Sequence, residues 1–176
     1  MPALILAAAS IKAVPFLLFS QKIELKNSLT NRLILNHNNR GTFTLKHFTA
    51  TFIHSIHDIS ATQWNQLCGI DYPFLRHEFF AAMEDSRSTC ADTGWQAHHL
   101  LVFNQHDLIA VMPLFIKTHS YGEYVFDWSW AEAYQRHGMS YYPKLLNAIP
   151  FTPATGPRWA IHSSYIEDDV LAFMSE

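Results

Sequence analysis

The stretch Trp95-Gln96-Ala97-His98-His99-Leu100-Leu101-Val102-Phe103-Asn104-Gln105-His106-Asp107-Leu108-Ile109-Ala110-Val111-Met112-Pro113-Leu114-Phe115-Ile116-Lys117 decides the fold. Two apolar runs, Trp95 to Phe103 and Leu108 to Lys117, flank the polar residues Asn104 to Asp107, a connection of the length that closes a β-hairpin. Both runs therefore read as strands. The second is apolar at both alternating sets of positions, with Leu108, Ala110, Met112 and Leu114 on one and Ile109, Val111 and Phe115 on the other. Such a strand is expected to be covered on both faces. Pro113 lacks the N–H that a central ladder requires, so a bulge or local splay is expected there. Adjacent His98 and His99 should point to opposite faces and cannot chelate one ion together.

Upstream, Thr51 to Ile56 is β-prone, and Ser60 is placed to cap a short helix through Trp64 and Leu67 that stops at Gly69. The spacing of Phe74, His77, Phe79, Phe80, Met83 and Glu84 predicts an amphipathic helix over Phe74 to Arg87. Residues 20–48 are polar and mixed, with a turn cluster at Asn36, Asn38, Asn39 and Gly41. Residues 1–48 are accordingly expected to be a leader and 49–176 the domain proper. Met1 to Phe19 is apolar but carries Lys12 and Pro15, is shorter than the ~20 clean residues of a membrane span, and has no basic residue before its apolar run. No membrane span is expected.

Downstream, Tyr124, Phe126, Trp128 and Trp130 alternate with Glu123, Val125, Asp127 and Ser129. A period of two predicts a strand, with aromatic rings on one face and carboxylates on the other. A short helix over Ala131 to His137 should end at Gly138, and a short strand is expected at Trp159 to His162. Ser163 or Ser164 should cap a last helix bearing Glu167, Asp168 and Asp169 in its first turn. The fold class expected is α/β of the α+β kind: a mixed, largely antiparallel sheet flanked by helices.

Composition narrows the function. The chain has 176 residues, of which 49% are hydrophobic, 14% aromatic and only 15% charged, which excludes disorder. A net charge of −3 with 12 Lys plus Arg leaves no electrostatic footprint for DNA or duplex RNA. Cys68 and Cys90 form no CxxC pair, which suits a reducing, cytoplasmic setting.

Candidate chemistry concentrates between Tyr121 and Tyr142, where eight aromatic residues fall within 22 positions. Two readings stay open: a buried aromatic face of a core strand, or one wall of a pocket with Glu123, Asp127 and Ser129 turned towards a ligand. If the segment is extended, Glu123 and Asp127 lie ~13 Å apart at the backbone, too far for either glycosidase geometry. His54 and His57 stand three apart, but no HExxH or HxH with a supporting carboxylate occurs, so no metal is expected. His119, Ser120 and Asp127 make a numerical triad without a GxSxG elbow. No glycine-rich phosphate loop is present. Lys117, Arg136, Lys144 and Arg158 are the basic residues nearest the aromatic segment, and each is expected to be solvated surface.

Several motifs in order carry a likeness. Pro73-Phe74, His77-Glu78-Phe79, Met83-Glu84, Gly94-Trp95 and His98-His99-Leu100 are followed by the unbroken run from Pro113 to Trp128, then Trp130-Ala131, Tyr141-Tyr142-Pro143-Lys144-Leu145 and Pro150-Phe151-Thr152-Pro153. Together they resemble the bacterial predicted N-acyltransferases labelled peptidoglycan biosynthesis or recognition proteins, a Fem-like branch of the GNAT superfamily. The resemblance covers roughly Thr51 to Arg158. It implies a GNAT-like lobe that is the N-terminal half of a longer protein, with a second lobe completing a substrate groove. It implies an acyl-CoA or aminoacyl-tRNA donor and an amine-bearing small molecule or peptide as acceptor. Such transfer needs positioning, a proton acceptor for the amine and donors for the oxyanion. Glu123, Asp127 and His119 are the candidate bases, and Ser120, Tyr124, Trp128, Trp130, Tyr142 and Lys144 the candidate substrate contacts. The alternative is a non-catalytic module that recognises a cell-wall peptide or related ligand.

Overall fold

The structure, a computed structural model, describes residues 4–6, 30–37 and 43–175, with side chains from 48 to 175. In chain order the elements are β1 (Leu4–Leu6), β2 (Thr30–His37), β3 (Phe43–Ile53), α1 (Ala61–Cys68), α2 (His77–Asp85), β4 (Trp95–Ala97), β5 (His99–Asn104), β6 (Asp107–Met112) and β7 (Phe115–Lys117). They continue with α3 (Trp128–Arg136), β8 (Lys144–Asn147), β9 (Ala160–Ile161) and α4 (Glu167–Met174). A five-stranded antiparallel sheet has the order β2-β3-β5-β6-β9. A four-stranded sheet has the order β1-β8-β7-β4, in which β1 runs parallel to β8 and the other neighbours are antiparallel. This is the α+β architecture expected.

The decisive hairpin is present, and tighter than its sequence suggested. Asn104 pairs with Asp107, so the turn is Gln105-His106, with Gln105 in the left-handed region at φ 58°. Each long strand is broken once. β6 ends at Met112, and after Pro113 and Leu114 the chain enters β7 in the other sheet, so the splay expected at the proline is a change of sheet. Its hairpin partner breaks at the same level, His98, whose N–H donates to Leu114 O at 2.9 Å. A strand whose ladder partner turns away loses its own partners there, which is why His98 marks a break that its apolar neighbours hide.

The central strands are covered on both faces. Leu101 and Val111 join Trp64, Phe80, Trp95 and Phe115 in an apolar cluster under α1 and α2. Leu100, Val102, Ala110, Met112 and Leu114 join Phe48, Val170 and Phe173 in a second cluster under α4. Each fully buried large side chain contributes roughly 1.5–3 kcal/mol. Ile109 departs from the expected alternation and packs with Ala110's cluster, because the register shifts between Val102 and Phe103 and an inserted residue reverses the facing of those before it.

Helix α1 is as expected: Ser60 Oγ accepts from the Gln63 N–H at 3.2 Å, and Gly69 ends the helix at φ +67°. Helix α2 is shorter than its apolar spacing predicted. Pro73–Leu75 forms a separate 3-10 turn, and Arg76 is extended at ψ 148°, so the regular helix begins at His77 and ends at Asp85. Strand β3 ends at Ile53 rather than Ile56; Ser55 instead caps a 3-10 turn over Ile56–Asp58, which α2 fixes through Glu84, the acceptor of Ser55 Oγ at 2.6 Å and of the Ile56 N–H at 2.8 Å. The last strand shrinks to Ala160–Ile161. Helix α4 carries its three carboxylates in the first turn, but its cap is Ile166, without a side-chain bond, rather than a serine.

The largest correction concerns the aromatic alternation. Residues 118–127 make successive turns instead of a strand, and α3 starts at Trp128, earlier than Ala131. No residue of α3 is buried. The period of two reflected no pleat: folded into turns, the segment brings Glu123 and Asp127, ~13 Å apart along an extended strand, onto one buried lysine. The turn cluster at Asn38, Asn39 and Gly41 and most of the apolar leader lie outside the described residues. Among the described residues no helix is long and apolar enough to cross a membrane.

Candidate functional site

The site begins with an electrostatic problem. Strand β7 ends on Lys117, β8 starts on Lys144, and the register sets the two lysines directly opposite each other. They are 0% and 1% exposed. Like charges facing across a ladder repel, and buried ammonium groups lose their hydration. The loop between β7 and α3 supplies the answer. Glu123 Oε2 lies 2.7 Å from Lys144 Nζ, and Asp127 Oδ2 bonds the same nitrogen. Lys117 Nζ donates to Tyr121 O at 2.8 Å and stands 3.8 Å from the centre of the Trp95 ring, which offers its negative face to the cation.

Asp127 is the hub. Besides Lys144 it accepts from Tyr141 Oη at 2.5 Å, from Tyr142 Oη at 2.9 Å and from Ser120 Oγ, while Ser120 and Tyr142 also bond each other. Burial works against its charge, but the hydrogen bonds from Lys144, Ser120 and Tyr141 outweigh burial and hold its carboxyl down at about 2. Burial, with Asp127 beside them, pushes the Tyr141 phenol far up and that of Tyr142 up to about 12, so both remain donors at neutral pH. Glu123 behaves differently. Burial raises its carboxyl above the ordinary range despite the bond to Lys144. Its side chain is 7% exposed, and Oε1 is buried without a hydrogen-bond partner.

Lys117 is pulled down from 10.5 to about 8, chiefly by burial and also by the Lys144 charge, against the attraction of Glu123. Below pH 8 the lysine is charged folded and unfolded, and the burial penalty is present in full. Between 8 and 10.5 the folded state releases its proton while the unfolded chain keeps it, so stability from this group rises with pH. The unfolding free energy of the wild type should therefore gain on that of Lys117→Met as pH rises through this window, read by urea denaturation at matched pH. A constant difference would show that Lys117 does not titrate there.

Of the residues singled out from sequence, the structure brings together Ser120, Glu123, Asp127, Tyr142 and Lys144. It adds Lys117 and Tyr141, which sequence reasoning missed; lysines were expected at the surface, and only strand register reveals that two of them face each other. Arg158 is likewise tied inward, to Gly156 O at 3.0 Å, to Ala154 O and to Tyr72. His119 stands apart. Its Nδ1 accepts from the Tyr121 N–H at 3.2 Å and its ring fills the space beside Gly94, so the numerical triad does not assemble and Ser120 meets Asp127 without it.

The facing of the segment is the reverse of that expected. The carboxylates are inside, whereas Tyr124 is 77%, Trp128 60%, Phe126 52% and Trp130 51% exposed. Phe126 and Trp128 stack on each other at 4.9 Å. The buried aromatic face is thereby overturned: the rings are exposed on these turns and at the start of α3, and the acids lie beneath.

A family model described as FemAB-like, peptidoglycan biosynthesis/recognition, matches residues 55–176. No curated protein matches the chain, and no solved structure does. The matched span contains every residue of the buried cluster and both strands that present its lysines. With more than half of its length matched in this way, the chain belongs to the FemAB-like family of peptidoglycan biosynthesis/recognition proteins.

Proposed function

We propose that the protein takes part in N-acyl transfer to an amine in peptidoglycan-related metabolism, with Glu123 accepting the amine's proton. The observation that supports this is the state of Glu123: one oxygen held by Lys144, the other buried without a partner, and a carboxyl that burial raises above its ordinary range. A buried unpaired acceptor is costly, and an incoming N–H donor satisfies it. An amine arriving as an ammonium group gives a proton to Oε1; its nitrogen attacks the acyl carbonyl, the C–N bond forms, the C–S or C–O bond to the donor breaks, and the second proton lost from the nitrogen passes to the departing sulfur or oxygen. Either acyl-CoA or aminoacyl-tRNA supplies such a carbonyl. On this reading Asp127 is the fixed anchor that orients Lys144, Ser120 and Tyr142, since its lone pairs are occupied. His119, half-buried at the edge of the turn, is the alternative proton acceptor. Tyr124, Trp128 and Trp130 line the acceptor side, and a second GNAT-like lobe lies across the groove. The reading carries a cytoplasmic location, where both donors are made.

The test is Glu123→Gln in the full-length protein, which keeps the shape and the Lys144 contact. We expect a fall of about a hundredfold in kcat/KM with either donor, at little change in acceptor binding. Unchanged turnover would remove Glu123 from the chemistry. The exposed Phe126–Trp128 stack favours a second reading, a recognition module without a donor. Saturable binding of a peptidoglycan peptide with no donor binding and no transfer would decide for it.

A further inference from the structure

Outside this cluster, two histidines from different strands meet. Ile53 of β3 is opposite His99 of β5, so the next residue on each side, His54 and His98, face each other just beyond the ladder. Their Nδ1 atoms are 3.2 Å apart, their ring centroids 5.0 Å apart and their planes inclined by 36°. Two imidazole nitrogens bound to one tetrahedral ion at ~2.0–2.1 Å stand about 3.3 Å from each other. The spacing is thus that of a chelating pair, and the rings are held in it. Phe52 stacks on His98 at 4.4 Å and 10°, and the His98 N–H is fixed by Leu114 O. His98 is buried while His54 is exposed, so the pair opens to solvent on one side.

We propose that His54 and His98 form a bidentate site for a divalent transition-metal ion, with water completing its shell. Imidazole ligands suit Zn2+, Ni2+ and Cu2+; the spacing is that of a tetrahedral ion, whereas Cu2+, first in affinity and tetragonal with cis nitrogens ~2.9 Å apart, needs the exposed His54 ring to close by a few tenths of an ångström. Among the described residues no group of three or more His, Cys, Asp or Glu is placed to hold an ion, so the site is a two-ligand one of micromolar rather than nanomolar strength. Without an ion, one Nδ1–H donates to the other ring. On binding, that proton moves to Nε2 of its own ring through solvent, both imidazoles stay neutral, and each Nδ1 lone pair goes to the metal. The site is independent of the acyl-transfer reading.

The experiment titrates the untagged full chain with Cu2+, followed by calorimetry and electron paramagnetic resonance. The first equivalent should bind in the micromolar range with a signal from two imidazole nitrogens. His54→Ala, at an exposed position, should weaken that equivalent at least about tenfold and remove one nitrogen from the spectrum, whereas His106→Ala in the hairpin turn should leave both unchanged. Binding by His54→Ala as tight as that of the parent, an equal loss in His106→Ala, or no first equivalent in the parent would each overturn the assignment.

Discussion

Lys144→Met should lower the unfolding free energy by about 3–5 kcal/mol in urea denaturation at pH 7, the range expected when one partner of a buried ion pair is removed. The side chain is 1% exposed, and its Nζ is the shared donor to Glu123 and Asp127. Methionine fills nearly the same volume, so the loss isolates charge from packing. Two carboxylates then remain inside with no cation bonded to them, Lys117 acting on them only through space, and the Asp127 carboxyl, now held low by Lys144 first among its hydrogen bonds, must rise. Stability held by a depressed carboxyl is present above its unfolded value of 3.8 and disappears as pH falls towards about 2. The variant should therefore lose most of the acid-side slope of the wild type. Lys117→Met is the contrast: that lysine donates to a carbonyl rather than to a carboxylate and at pH 7 bears its burial penalty in full, so its replacement should cost far less than that of Lys144. Equal losses in the two variants would show that the pairing of Lys144 is not what the cluster depends on.

Gly122→Ala should cost about 2–4 kcal/mol and disturb Glu123 with it. Gly122 sits at φ +81°, where a side chain is strained by about 1 kcal/mol. A Cβ there would lie 2.4 Å from Phe151 Cε1 and 2.7 Å from Trp95 Nε1. The half-exposed Phe151 ring can swing; buried Trp95, whose Nε1 donates to Tyr121 O at 3.1 Å, cannot move without releasing the turn. Gly138 has a similar φ of +69° but nothing within 4 Å of its added Cβ, so Gly138→Ala should show the backbone cost alone. If the two alanine variants lose the same amount, packing against Trp95 does not fix the turn that carries Glu123.

The hairpin, α1, the two-sided coverage of β6 and the acidic start of α4 were legible because each rests on local pattern: an apolar period, a cap, a stop. The segment 118–130 was not. Its alternation of rings and acids satisfied a strand template, while its conformation is set by Lys144, which lies further along the chain and becomes a neighbour only through the pairing of β7 with β8. The same limit hid Lys117 and Tyr141 from the site. It also hid the approach of His54 to His98: spacing along the chain linked His54 to His57 and His98 to His99, whereas the contact runs between strands. Residue types gave the candidates, and strand register chose among them.

The two corners at His98 and Pro113–Leu114 have a mechanical consequence. Both arms of the hairpin pass from one sheet into the other at one level and are bonded there, so the small sheet hangs from the large one on two parallel stems. A single stem could twist; two linked stems resist torsion. A ligand that tilts the lysine-bearing sheet would load the His98 amide, and the isotope-exchange rate of that one proton would report the strain.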